Sequence, residues 1–339
     1  MIWGGWPSSI ADPKLAVDLF MMISGFLMVA QADARSVVEP LRGTRNRWRF
    51  WARRLFRVAP AYYLSLLLAV VSAPLFLEGY TVLRGLNQLH WQFDTIYDPA
   101  RIEYTVRNIV LHLTFVFGLM QEASASTMLP DWSLSLEMQF YAVFPLLLAY
   151  LNRMGITATA LLGLVAAWVG WQVYGFYEPS LLVFKLHHFV AGMLIFRARS
   201  LWTCACAIAL SALDGSTVPP AMATALLVAV HFESIGRLPA AFNSAVVRFA
   251  SDASYSVYLF HGFFIAASGL AIAHVPLLGQ LAPRERVMAM ILFVAAGSYA
   301  IAWAVFRWIE TPGIELGRRL TDRVVARSSP TVVPSLTHP

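Results

Sequence analysis

The stretch VMAMILFVAAGSYAIAWAV, residues 287–305, decides the fold class of this chain. It contains no charged side chain over 19 consecutive residues. The hydrocarbon core of a bilayer is about 30 Å thick, and roughly 20 apolar helical residues cross it. A backbone in lipid must satisfy its own hydrogen bonds, which an isolated helix does. The stretch therefore predicts a membrane-spanning helix.

Nine other stretches show the same apolar character. They are Leu15–Ala30, Leu55–Leu77, Tyr104–Met120, Leu134–Leu151, Ile156–Val173, Leu181–Phe196, Leu201–Leu213, Ala221–His231 and Tyr255–Ala273. The whole chain of 339 residues is 58% hydrophobic and 13% charged, with a mean hydropathy of +0.62. Soluble domains carry about 25% charged residues. We therefore predict an all-α polytopic membrane protein with about nine to ten transmembrane helices in a single bundle.

The net charge of +6 comes mostly from arginines, and they lie between the apolar stretches. This arrangement follows the positive-inside rule and differs from a basic patch that binds nucleic acid. It places the arginine-rich segment 35–57 and the C-terminal arginines in the cytoplasm of a bacterium, with the protein in the inner membrane. One stretch, Tyr104–Met120, breaks the alternation of crossings and contains Arg107 and His112. We expect it to be re-entrant or buried in protein.

We predict one membrane domain over residues 1–314 and a cytoplasmic, disordered tail over residues 315–339. The two cysteines, Cys204 and Cys206, are two residues apart in an apolar stretch and are interpreted as small apolar filler. Adjacent histidines, His187 and His188, could indicate a metal or a proton path. Neighbouring side chains on a helix are expected to point apart, so a packing role and no metal site are predicted.

Glu137 is the first candidate for chemistry. On a helix it shares one face with Ser133 and Tyr141, and a carboxylate this close to lipid is costly unless it has a function. The alternative is a packing carboxylate that is paired with an arginine. Tyr258 and His261 form a second candidate pair, since histidine is the side chain best suited to proton transfer near neutral pH. The alternative for His261 is an interhelical hydrogen bond.

Arg54 and Arg57 are one helical turn apart at the start of an apolar stretch. Two guanidinium groups at this spacing could bind a phosphate group through several hydrogen bonds. The alternative is that these arginines only fix the orientation of the helix in the membrane.

The order of several motifs resembles the membrane acyltransferase-3 family, which acylates carbohydrates and macrolides. The motifs run from about Leu15 to Pro312. They are VDLFMMISGFL at 17–27, Arg54-Leu55-Phe56-Arg57 followed by Pro60, Trp132-Ser133-Leu134 with Glu137, Phe140-Tyr141 and Phe144-Pro145, Ser254-Tyr255-Ser256 with Tyr258-Leu259 and His261, and Glu310-Thr311-Pro312.

This resemblance implies an O-acyltransferase that moves an acyl group, by default acetyl, from acyl-CoA to a hydroxyl of a glycan or similar molecule. Acyl-CoA would be the donor substrate, and no permanently bound cofactor is implied. The implied catalytic residues are Glu137, Tyr258 and His261. Arg54 and Arg57 would bind the donor, and Ser24 and Gly25 would allow its close approach to the backbone.

The family pattern begins with a helix that carries an arginine and a histidine, and no residue of this chain matches that histidine. We therefore expect that this chain lacks the first helix of the family. The alternatives are that the start codon is placed too late, that this copy is inactive, or that another group substitutes for the histidine. The alternatives for function are a transporter or flippase of a lipid-linked glycan, and an inactive truncated relative. A membrane-bound O-acyltransferase of the other large family would need a histidine and asparagine pairing that we do not find.

Overall fold

The computed structural model describes residues 13–86, 101–173, 175–176, 178–234, 236 and 244–328, and helices are its only regular elements over these residues. The α-helices are α1 (Pro13–Ala34), α2 (Thr44–Val71), α3 (Ala73–Leu86), α4 (Val106–Leu113), α5 (Trp132–Gln172), α6 (Leu182–Phe196), α7 (Leu201–Ser211), α8 (Val218–Ser234), α9 (Ala245–His274), α10 (Pro276–Gln280), α11 (Pro283–Val305) and α12 (Thr311–Ser328). A short 3₁₀ helix, Val116–Leu119, follows α4, and a π-helix, Phe306–Glu310, joins α11 to α12.

Within these described ranges, five helical segments are long and apolar enough to cross a membrane. They are Lys14–Ala34, Thr44–Val71, Trp132–Gln172, Val247–His274 and Pro283–Asp322. Three shorter apolar helices lie over Leu182–Phe196, Leu201–Ser211 and Val218–His231. The prediction of an all-α polytopic membrane protein is confirmed.

Helix α5 is a hairpin of two helical halves that reverse at Gly155. The backbone of Gly155 is not helical, with φ +83° and ψ −176°. Gln139 binds the backbone of Ser180 and Leu182 at the start of α6, and Gly170 also lies against Val183 and Phe184 there. In a straight helix, residues 139 and 170 would be about 46 Å apart at 1.5 Å per residue. The predicted stretches Leu134–Leu151 and Ile156–Val173 are therefore separate antiparallel segments.

Two predicted stretches are divided in the structure. Tyr104–Met120 holds the eight-residue α4 and the 3₁₀ helix, so no single helix crosses the membrane there, as predicted. The prediction of one helix over Leu55–Leu77 is wrong, because α2 ends at Val71 and α3 begins at Ala73. The physical reason is Pro74, whose ring and missing N–H favour the first turn of a helix over its interior.

The prediction of a disordered tail from residue 315 is wrong for residues 315–328, which continue helix α12. Two glycines of α12 allow it to pack closely on α2, with Gly313 beside Pro60 and Gly317 beside Phe56. The high charge of this segment obscured the helix, because charge favours disorder when no partner surface is considered. Residues 329–339 of the predicted tail lie outside the described residues.

Several ion pairs cluster at one end of the bundle, which we call the arginine face and define by Asp33, Glu39, Arg49, Arg53 and Arg197. Arg197 after α6 binds Asp33 of α1 at 2.5 and 2.9 Å, and Arg49 of α2 binds Asp322 of α12 at 2.8 Å. Arg53 donates two hydrogen bonds to Glu39, and these bonds lower the pKa of the Glu39 carboxyl.

Helices α1 and α6 cross in direct backbone contact. A Cβ atom added at Gly25 of α1 would collide with the carbonyl group of Phe189, and one at Gly192 of α6 would collide with that of Met22. Small residues permit this approach between helices in lipid, where packing drives association.

Replacing Gly25 or Gly192 by alanine should therefore destabilise the protein by about 1–3 kcal/mol, the usual cost of an overpacked site. The measurement is thermal unfolding of the purified protein in detergent. Gly85→Ala on α3 is the matched control, because a Cβ atom there meets nothing within 4 Å. Equal stability of the Gly25 and control variants would contradict this account of the crossing.

Candidate functional site

A buried carboxylate lies between three helices near the arginine face. Glu137 of α5 accepts a hydrogen bond from Tyr141 one turn further along the same helix, and Ser24 Oγ of α1 lies 3.4 Å from its Oε1. The predicted shared face of Glu137 and Tyr141 is confirmed. Arg54 of α2 lies over the Tyr141 ring at 5.3 Å and donates to Gln31 of α1. Glu137, Tyr141, Ser24 and Arg54 thus form one contact group.

Arg57 lies within electrostatic range of two carboxylates from different helices. It interacts electrostatically with Glu137 and with Glu310, which is fully buried at the end of the π-helix. Glu310 also accepts a hydrogen bond from Ser256 of α9, and Tyr255 donates to the backbone oxygen of Val58 at 2.8 Å. Burial of a carboxylate is costly unless it is paired and hydrogen-bonded. Arg57 therefore compensates negative charge from both α5 and the π-helix.

Tyr258 of α9 contacts Ser133, which lies one turn before Glu137 on α5. Its hydroxyl is 2.6 Å from Ser133 Oγ and also donates to the backbone oxygen of Pro130. His261 Nδ1 is 2.7 Å from the backbone oxygen of Tyr258, so Nδ1 must carry the proton of that bond. The other nitrogen, Nε2, is then the basic atom of the neutral ring.

Asp131 at the start of α5 is the centre of a further buried group. Its Oδ2 accepts hydrogen bonds from Tyr62 at 2.9 Å and from Thr127 at 3.0 Å. His112 Nε2 is 3.6 Å from the same oxygen, and the His112 ring stacks on Phe117 with centroids 4.1 Å apart. All the side chains in this group are buried. His112, whose polar ring would be unfavourable in lipid, is thus buried within the protein, as the sequence predicts.

These groups form a continuous line, which we call the polar column and define by Arg54, Glu137, Ser133, Tyr258 and Asp131. Arg54 lies beside Tyr141, and eight residues further along α2 Tyr62 contacts Asp131. Eight helical residues rise about 12 Å. The column therefore extends from the arginine face into the interior of the bundle between α2, α5 and α9.

The structure brings some predicted site residues together and separates others. Ser24, Arg54 and Glu137 are in one contact group, and Arg57 acts on Glu137. Tyr258 of the column and the adjacent His261 form a separate group, and neither shares a described hydrogen bond or ion pair with Glu137.

The approach of the donor to Gly25 stays a prediction, and the structure gives this glycine a packing role. The backbone of α6 fills the space beside Gly25, so helix packing accounts for the absence of a side chain. The sequence motif placed Gly25 next to Ser24 but could not show which side of α1 is covered by another helix.

The expectation that His187 and His188 point apart is also wrong. Their ring centroids are 4.2 Å apart, and each Nε2 is 3.1 Å from an oxygen of Asp214. Adjacent Cβ atoms diverge on a helix, but imidazole rings are long enough to converge on a carboxylate presented by another segment. Asp214 follows α7, so the separation of 26 residues from His188 hid this contact.

A bundle of membrane-spanning helices with a buried carboxylate and two arginines near its basic end has the features of a membrane-embedded enzyme. Comparison with known proteins identifies the class. The family model described as an acyltransferase domain matches residues 13–203, and the chain belongs to this family, acyltransferase-3. The protein is therefore an acyltransferase that moves groups other than aminoacyl groups.

Two curated relatives cover most of the chain. Exopolysaccharide production protein ExoZ of Rhizobium meliloti (strain 1021) is 28% identical over 353 residues, which include 92% of this chain and 94% of the relative. BcsY of Komagataeibacter xylinus, which carries the name of a membrane-bound transacylase, is 26% identical over 341 residues, with 90% of this chain and 77% of the relative covered. No solved structure matches the chain significantly.

Sequence reasoning missed the role of Glu310 and the group around Asp131. Glu310 had a signal, because it belongs to the Glu310-Thr311-Pro312 motif and ends an apolar run. Asp131 had only its position before Trp132. No sequence signal indicated the contacts of Tyr62 and His112 with Asp131, since these contacts join segments 69 and 19 residues apart along the chain.

Replacing Asp131 by alanine should leave the Tyr62 and Thr127 hydroxyls without their acceptor in a buried site. Unsatisfied buried donors cost about 1–3 kcal/mol each, so thermal unfolding in detergent should show a loss of about 2–5 kcal/mol. The triple replacement of Asp131 by alanine, Tyr62 by phenylalanine and Thr127 by valine removes the donors as well and should recover part of this loss. A triple variant that is less stable than Asp131→Ala would contradict the described network.

Proposed function

We propose that this protein is an O-acyltransferase of a bacterial inner membrane that transfers an acyl group from acyl-CoA to a hydroxyl of a glycan. The observation that carries the proposal is the buried contact of Glu137 with Tyr141 and Arg54, extended by Arg57. The names of the relatives support a glycan acceptor, because one is an exopolysaccharide production protein. An acetyl group is the donor moiety we propose to test first.

The arginine face is proposed to lie in the cytoplasm, where acyl-CoA is available. Its basic character supports this orientation, since cytoplasmic ends of membrane helices carry the excess of arginine. Arg54 and Arg57 are the proposed phosphate contacts of the donor, because guanidinium groups bind phosphate through several charge-assisted hydrogen bonds. The donor is a substrate in this proposal, and no permanently bound cofactor is included.

The chemistry requires a base for the acceptor hydroxyl and stabilisation of negative charge on the thioester oxygen. His261 is the proposed base, because its Nδ1 is engaged by the Tyr258 carbonyl and Nε2 keeps a lone pair. The proton would move from the acceptor oxygen to Nε2 as that oxygen attacks the thioester carbonyl. Collapse of the tetrahedral intermediate then breaks the carbon–sulfur bond. CoA leaves as the thiolate and takes up a proton.

Tyr258 and Glu137 are proposed to line the path between the donor and the base. Tyr258 holds the carbonyl to which His261 is bonded, and its hydroxyl contacts Ser133. Glu137 orients Tyr141 beneath Arg54 through its hydrogen bond. This arrangement makes Glu137 a positioning residue for the arginine that contacts the donor.

The experiment measures ester-linked acyl groups on surface glycans by mass spectrometry, in a host deleted for its own copy and complemented with this chain. Membranes of the same strains are supplied with isotope-labelled acetyl-CoA, which identifies the donor directly. Acylation that returns with label in the ester supports the proposal. Acylation without label from acyl-CoA would overturn the donor, and normal glycans without any ester in the complemented strain would overturn the function.

Arg57→Ala and Glu137→Gln should each lower labelled acyl transfer at least tenfold. Arg57→Ala removes a proposed contact with the donor, and Glu137→Gln removes the negative charge that compensates the arginines. A tenfold loss of rate corresponds to about 1.4 kcal/mol. Arg153→Ala is the matched control, because Arg153 is an exposed arginine of the α5 hairpin outside the polar column. Full activity in correctly folded Arg57→Ala protein would disprove its role.

A further inference from the structure

A second buried polar cluster lies at the end of α1 and α6 that is remote from the arginine face. We define the histidine cluster by His187, His188, Asp214, Asp18 and Lys185. Asp18 is 15 residues before Asp33 on α1, which is about 22 Å along the helix. None of these residues belongs to the polar column.

Three side chains of the cluster present ligand atoms at the spacing of a metal site. His187 Nε2 is 3.1 Å from Asp214 Oδ1, and His188 Nε2 is 3.1 Å from Asp214 Oδ2. One ligand atom from each of the three residues lies within 4.8 Å of the others. A tetrahedral ion with ligands at 2.0–2.1 Å would separate neighbouring ligand atoms by about 3.3 Å.

A hydrogen bond between His188 Nε2 and Asp214 Oδ2 orients one ring, but hydrogen bonding does not account for the orientation of the His187 ring. His187 Nε2 makes no hydrogen bond despite its distance of 3.1 Å from Asp214, and the Nδ1 atoms of His187 and His188 also have no hydrogen-bond partner among the described residues. Both rings are almost fully buried. Buried polar atoms normally have a partner, so two imidazoles that face one carboxylate without full satisfaction indicate a missing ligand.

The charged side chains of the cluster are compatible with a bound cation. Asp18 and Asp214 carry two negative charges, and Lys185 carries one positive charge between them. Lys185 Nζ is 2.5 Å from Asp214 and 2.9 Å from Asp18, so it retains a carboxylate partner if Asp214 binds an ion. The Asp214 residue is exposed, which gives an ion access from water at this end of the bundle.

We propose that His187, His188 and Asp214 bind a divalent transition-metal ion of the Zn²⁺ class. Imidazole nitrogen and carboxylate oxygen are ligands that suit this ion, and three protein ligands leave one position for water. The ion ties α6 to the turn between α7 and α8, while Lys185 ties the same region to α1 through Asp18. The site differs from the prediction that these histidines only pack.

The experiment uses the full-length protein with a tag that contains no histidine, purified in detergent and stripped with a chelator. Co²⁺ is the spectroscopic probe, because four-coordinate Co²⁺ absorbs visible light far more strongly than the hydrated ion. Zn²⁺ is the probe for thermal stability, which a bound ion raises. The background variant Cys204→Ala with Cys206→Ala removes the two thiols, which are also able to bind these ions.

Three variants and one control locate the site. His188→Ala and Asp214→Asn should each weaken Co²⁺ binding at least tenfold and remove the Zn²⁺-dependent rise in unfolding temperature. Lys185→Met should strengthen binding at least threefold, because it removes a competing cation 2.5 Å from Asp214. Lys14→Met is the matched control, since Lys14 pairs with Glu178 outside the ligand set.

A visible Co²⁺ spectrum that weakens in His188→Ala and Asp214→Asn and strengthens in Lys185→Met supports the site. The opposite signs expected for the two kinds of variant distinguish binding from a general loss of folding. Absence of the spectrum in both the background protein and Lys185→Met would overturn the proposal. A spectrum unchanged in His188→Ala and Asp214→Asn would place the ion elsewhere and overturn it as well. Neither result bears on acyl transfer, which uses other residues.

Discussion

The need to neutralise charge inside a lipid-embedded bundle is the constraint on which this structure depends. Glu137 and Glu310 come from different helices, and Arg57 of a third helix interacts with both. A buried carboxylate that loses its compensating charge is strongly destabilising, because the remaining charge stays buried without a partner. The requirement therefore fixes how α2, α5 and the π-helix lie relative to one another.

The polar column concentrates polar side chains inside the helical bundle. Its polar side chains are directed inwards from α2, α5 and α9, while the lipid-facing surfaces stay apolar. Polar groups inside membranes are retained where they serve a function or satisfy one another. In the column, Asp131 and Tyr62 satisfy each other at the inner end, and Arg54 and Glu137 lie nearer the arginine face.

The sequence predicted the elements better than their contacts. Long apolar stretches specify membrane helices directly, and the ordered motifs indicated the family that the comparison with known proteins confirmed. The face shared by Glu137 and Tyr141 followed from helical periodicity, since both residues lie on one helix. The contact of His188 with Asp214 and that of Tyr62 with Asp131 depend on how distant helices pack, which local periodicity does not encode. Helix α12 was missed for the same reason, because its stability comes from α2.

The reversal at Gly155 has a consequence for the assembly of the protein in the membrane. Two membrane segments are separated by one non-helical residue, so almost no polar chain remains to be anchored in water between them. Helices joined so closely have no independent orientation in the membrane. The charge of Arg153, beside this turn, then orients both segments at once. The relative orientation of the two halves of this 41-residue segment thus depends on the backbone of one glycine.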